Sequence, residues 1–142
     1  METNDDRIVL QVLGFLGEMY NINGDFCLNL RNEFAVAGRT MRAPTSEFFC
    51  RTYEAGVKIN IREEVMLQGE DSLSWEMDIS QHNGGWLVDS RICRIGESGT
   101  ETVLQLPDIV APNFALVVRE APHVLKQLHE AGTRILRQEL KP

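Results

Sequence analysis

Residues 73–92, LSWEMDISQHNGGWLVDSRI, alternate apolar and polar positions, break at a turn signal and resume alternating. Successive strand side chains point to opposite faces, so Leu73, Trp75, Met77 and Ile79 share one face while Ser74, Glu76, Asp78 and Ser80 share the other. The break at Gln81–Gly85 contains Asn-Gly followed by Gly, residues that accept the positive φ of a tight reversal. The stretch predicts a β-hairpin. A four-residue loop over Gln81–Gly84 sets Ile79 opposite Trp86, Met77 opposite Val88, Trp75 opposite Ser90 and Leu73 opposite Ile92, so that the apolar faces coincide. A slip of one residue would put Trp86 in water.

Three more patterns surround this hairpin. Ile8, Val9, Val12, Phe15, Leu16 and Met19 recur at helical spacing and predict an amphipathic helix over 5–20, with Asn4 as its N-cap and an exit at Asn23-Gly24. Val57, Ile59, Ile61, Val65 and Leu67 alternate with Lys58, Asn60, Arg62 and Glu64 as a half-buried strand. Beyond Pro107, the stripe Phe114, Val117, Val118, Ala121, Val124, Leu125, Leu128, Ile135 and Leu136 predicts a long helix, kinked or broken near Glu120 because Pro122 lacks a backbone donor. Between them, 25–42 lean towards strands, and Pro44 forces Ala43 out of helical geometry. SEFFCRTYEAG reads either as a short helix from Ser46 to a left-handed Gly56 or as a strand with an EAG turn. ETVLQLP, after a turn at Gly96–Thr100, supplies the last strand. The fold class is α+β: one two-layer domain over 1–142, with an N-terminal helix, an antiparallel meander of four or more strands, and a long C-terminal helix on the dry face.

Charge sharpens this picture. The formal net charge is −7, and residues 54–108 alone carry eleven acids against four bases. That negative field argues against binding a phosphate backbone. No apolar run approaches the ~20 residues of a membrane span, and the acidic start METNDDR is unlike a signal peptide. Cys27, Cys50 and Cys93 are odd in number and widely spaced. They suit a reducing cytoplasm.

Candidate chemistry is sparse. With the hairpin register above, and Leu67 opposite Leu73, Glu64, Glu76 and Asp89 form an acidic row with Asp78 facing Arg62. Like charges opposed in a sheet destabilise it, so Glu64, Glu76, Asp78 and Asp89 are the candidate docking residues for a basic protein partner. The alternative is a small-molecule or enzyme pocket between sheet and C-terminal helix at Trp75, Trp86 and Ser90. His82, His123 and His129 lack the spacing of metal ligands and read as exposed. Cys93, on the wet side, is the one candidate for a reactive thiol. IGESGT has the wrong spacing for a serine-nucleophile turn and reads as a hairpin loop. No phosphate loop or dinucleotide fingerprint occurs, and no metal or cofactor is expected.

The order of helix, sheet and closing amphipathic helix in a small acidic chain is similar in outline to bacterial secretion chaperones and to toxin-neutralising immunity proteins. That likeness lies in the element order and brings no residue roles with it. The sequence thus leads to a cytoplasmic, non-enzymatic protein-binding module. Self-association is expected through a C-terminal helix face widened by Val117, Val118, Val124 and Leu125. The strand edges are the lesser route, because Glu63 and Glu64 guard 57–67 and Pro107 ends 101–107.

Overall fold

The computed structural model of the chain describes residues 4–42, 44–54 and 56–142. The side chains of Asn4 and Asp5, together with Ala43 and Ala55, lie outside that description. With them go the expected cap at Asn4, the effect of Pro44 on Ala43 and the centre of the EAG turn.

Helix α1 spans Asn4–Val36, so the exit expected at Asn23-Gly24 and the strands expected over 25–42 are replaced by one continuous helix. Phe15, Met19, Asn23, Phe26, Leu30 and Phe34 are all buried and recur at intervals of three or four. Burying such an apolar side chain stabilises by roughly 1.5–3 kcal/mol, against a cost of about 1 kcal/mol for an interior glycine such as Gly24. The apolar stripe therefore outweighs the turn signal. The helix ends where Gly38 takes φ 72°, with Gly38 N–H donating to Ala35 O and Arg39 N–H to Phe34 O. Those paired bonds are a Schellman termination.

Residues Thr45–Tyr53 are strand β1, resolving the SEFFCRTYEAG stretch in favour of the strand. β2 (Gly56–Met66), β3 (Ser72–His82), β4 (Gly85–Gly96) and β5 (Gly99–Gln105) follow as an antiparallel meander in sequence order. Gly96–Gly99 forms the hairpin loop expected of IGESGT. A short β6 (Ile109–Ala111), not anticipated, continues along the same flank of β4 beyond β5.

Both expected registers are off by two residues. His82 pairs with Gly85, leaving Asn83 and Gly84 as a two-residue turn with φ of 47° and 78°. Positive φ at both central positions is the type I′ geometry that Asn-Gly favours and that matches strand twist. Trp75 consequently faces Ile92, Met77 faces Ser90 and Ile79 faces Val88. Across β2 and β3, Arg62 faces Glu76, Asn60 faces Asp78 and Glu64 faces Ser74. A shift of two keeps every side chain on its predicted face, so the dry face is as expected while its cross-strand neighbours are not.

Helix α2 (Phe114–Leu140) starts at Asn113, whose side chain accepts from Leu116 N–H, and runs through Pro122 without dividing in two. It lies beside α1 on the dry face. Phe15 meets Phe114 edge-on at 5.4 Å, Phe26 stacks on His129 at 3.8 Å, and Glu33 binds Arg137 at 2.7 and 2.8 Å. Because these contacts ascend both helices together, the two run parallel. Val117 and Leu125 are fully buried, with Val118 and Val124 half-buried against them. The surface expected to carry a helix-mediated dimer is thus core.

Candidate protein-docking surface

The open face of the sheet holds the four candidate docking carboxylates, but they do not form an acidic row. Along one rung the register interleaves charge, with Glu47 on β1, Arg62 on β2, Glu76 on β3 and Arg91 on β4 opposite one another in turn, while on the neighbouring rung Asp78 and Asp89 stand directly opposite each other. Glu76 receives Arg62 at 3.1 Å and Arg91 at 3.0 Å. Glu64 binds Arg62 at 3.0 Å, Asp89 binds Arg91 at 2.7 Å, and Asp78 lies 3.5 Å from Arg91 and 3.8 Å from Lys58. Burial opposes the charge on Arg91, yet Glu76, Asp89 and Asp78 together outweigh it and hold its pKa above the ordinary arginine value. On β1 to β4 this face carries five carboxylates (Glu47, Glu64, Glu76, Asp78, Asp89) against four cations (Arg51, Lys58, Arg62, Arg91). Its field is close to neutral, so it offers a basic partner little electrostatic steering.

Of the pocket candidates, Trp75 and Ser90 are diagonal neighbours across β3 and β4, and Trp86 is set apart from them. Trp75 and Ser90 are each 1% exposed. Trp75 packs edge-on to Phe26 at 5.1 Å, while Trp86 sits at the hairpin end against Phe114 at 4.8 Å. Trp86 and the partner of Trp75, Ile92, are six residues apart on β4, roughly 20 Å along a strand. His129 is buried, contrary to the expectation of three surface histidines, whereas His82 and His123 are exposed. Burial pushes its pKa down to about 3. It lines a cleft of about 210 Å³ between the helices with Asp25, Asn29, Lys126, Glu130 and Thr133. A group ionising so far below neutrality is ill suited to general acid–base work at pH 7. Among the described residues no group of three or more metal-ligating side chains is found.

Cys93 is buried beside Glu76 and Thr102, at 4.0 Å from each, so the exposed thiol is Cys50 instead. Cys27 belongs to a polar contact under α1. Burial first, and then its hydrogen bond to Glu63, push the Cys27 thiol up to about 11. Glu63 is 2% exposed on the dry face and accepts from Asn23 Nδ2 at 2.8 Å. It is therefore core, and does not guard an edge. Removing one partner of a buried polar pair strands the other, at a cost of roughly 3 kcal/mol when a charged group is left. Asn23→Leu should lower unfolding free energy by about that amount. The double variant Asn23→Leu/Glu63→Met should recover most of it, as a denaturant-melt double-mutant cycle would show; equal losses in the single and double variants would refute the pairing.

A surface with no counterpart among the expected sites lies where α1 overhangs β1. Ile8, Val9, Leu10, Leu13 and Tyr20 are each more than half exposed. At 100° per residue, Val9, Leu13, Leu16, Tyr20 and Cys27 share one flank of the helix. Two of them fix where that flank points: Tyr20 meets Phe48 of β1 at 5.9 Å and Cys27 lies 3.9 Å from Ser46. Beneath it β1 is the outer strand of the sheet, with Cys50, Thr52 and Tyr53 exposed. Among the described residues no further strand pairs with its outward backbone groups. The signal was present as a second stripe beside the core stripe. That stripe becomes a flank only with a strand beneath it, and 45–53 suits a helix or a strand equally on its pattern alone. No helix among the described residues is long and apolar enough to cross a membrane. Compared with known proteins, the chain matches no family model, no curated protein and no solved structure.

Proposed function

We propose that this chain is a protein-binding module without catalysis of its own, and that it docks through the α1–β1 flank. The observation that carries this reading is the joint exposure of an apolar helix stripe, Val9, Leu13 and Tyr20, and of the strand edge directly below it. Contiguous exposed apolar surface marks interaction sites, and a free strand edge adds backbone hydrogen bonds to the same contact. The sheet face, where each candidate carboxylate already has a cation, supports docking less well. A photo-crosslinking side chain placed at Leu13, and as a control at Glu97 on the far side, tests the assignment in native lysate. Discrete protein adducts are expected from position 13 and none from 97. Absence of any adduct at position 13, or equal labelling at both, would sink it.

A further inference from the structure

Strand β1 is self-complementary about its middle residue. It has nine residues, Thr45–Tyr53, with Phe49 at the centre. Thr45, Glu47, Phe49, Arg51 and Tyr53 lie on the open face of the sheet, because they pair with Glu64, Arg62, Asn60, Lys58 and Gly56 of β2. Glu47 and Arg51 thus stand two residues either side of the centre, on the same face and with opposite charge. Arg51 lies over the Phe49 ring at 4.3 Å and directly opposite Lys58, a like charge. Among the described residues no ion pair to a carboxylate is made by Arg51.

We propose that the occupant of the β1 edge is β1 of a second copy, joined antiparallel about a two-fold axis at Phe49, so that the two sheets become one. This rests on the docking reading above and names its partner. A two-fold perpendicular to the sheet keeps the dry faces of both copies on one side, which requires residues of like parity to meet. Of the registers that satisfy this, centring on Phe49 gives full overlap of the nine residues. It also sets Glu47 opposite Arg51 of the second copy, twice by symmetry. Centring on Phe48 would set Glu47 against Phe49, and centring on Cys50 would set it against Tyr53, so either neighbouring register loses both ion pairs. On the dry side, Phe48 meets Cys50 of the second copy beneath Tyr20. The flanks of the two α1 helices close over the join, covering apolar stripes that are otherwise in water.

The test is a charge swap read by light scattering or sedimentation. Wild type should be dimeric at tens of micromolar. Arg51→Glu alone sets two carboxylates against each other at both ends of the join and should weaken self-association at least tenfold. Its fold should be intact by circular dichroism, because the substitution replaces a like-charge pair with Lys58 by an opposite one. Glu47→Lys alone places two cations at each end and should likewise be monomeric. Mixing the two variants brings the introduced lysine opposite the introduced glutamate at one end and leaves the native Glu47–Arg51 pair at the other. The mixture should therefore restore a dimer containing one of each. A wild-type monomer up to millimolar concentration overturns the proposal. So does a dimer that either variant leaves unchanged, or a mixture that stays monomeric. A monomer whose position 13 still crosslinks to another protein would remove the second copy as occupant and leave the docking reading standing.

Discussion

Gly132→Ala is expected to destabilise the chain by about 3 kcal/mol, although by helix propensity alone it should stabilise it by about 1 kcal/mol. A Cβ at Gly132 would lie 1.5 Å from Trp75 Nε1 and 2.2 Å from its Cδ1. The indole cannot withdraw. It is 1% exposed, stands edge-on to Phe26, and belongs to a central strand paired on both sides. Either the ring leaves its rotamer or α2 lifts from β3, and both open space among Phe26, His129 and Leu128. Overpacking of a close-packed interior therefore wins over propensity. Trp75→Phe relieves the contact, and it also removes a buried Nε1 donor that has no acceptor among the described residues, which offsets part of the cavity cost. The double variant Trp75→Phe/Gly132→Ala should then be more stable than Gly132→Ala alone. Thermal melts of the four proteins decide: additive losses would show that the two residues do not share this contact.

This contact illustrates how much the sequence disclosed. Periodicity placed Trp75 on the dry face and α2 above that face, and both are observed. Which residue of α2 gives way to the indole depends on two elements meeting across the whole meander, and no local pattern encodes it. The registers failed for a related reason. Alternation fixes a strand only modulo two, so it does not distinguish the expected four-residue loop from the two-residue Asn83-Gly84 turn that type I′ geometry favours. That slip of two was enough to turn a ladder of Arg62, Glu76 and Arg91 into an apparent acidic row. Asn23 misled in the opposite sense. Next to Gly24 it reads as a helix exit, and only its buried bond to Glu63, forty residues away, shows why an asparagine lies inside the core stripe. The exposed α1–β1 flank is only partly legible: Val9 and Leu16 stand in the apolar pattern, but a flank needs a strand edge beneath it, and 45–53 has no decisive period.

Acid should unfold this protein earlier than its ion pairs alone would dictate, because of His129. Burial holds the folded imidazole near pKa 3, against 6.5 for the free group. The sign follows from linkage: between those values the unfolded chain binds a proton that the folded chain refuses, so unfolding free energy rises with pH. Above pH 6.5 both states are neutral there and nothing is lost. As pH falls from 6.5 towards 3 the loss accumulates at about 1.4 kcal/mol per pH unit. It reaches roughly 3 kcal/mol by about pH 4.5, a large fraction of the roughly 5–15 kcal/mol typical of a domain. Glu33 adds a smaller term of the same sign lower on the scale, since its hydrogen bond to Arg137 holds the carboxylate below its usual range. The two are separable by substitution. His129→Phe keeps a flat ring against Phe26, where the imidazole stacks at 3.8 Å with planes 2° apart, and it cannot take up a proton. Denaturant midpoints from about pH 7.5 to about pH 4.5 should fall steeply in wild type and much less in His129→Phe, with the curves converging in shape below the carboxylate range. Parallel curves across the whole span would mean that the imidazole is hydrated in solution, and that Phe26 and Thr133 pack around it more loosely than the geometry shows.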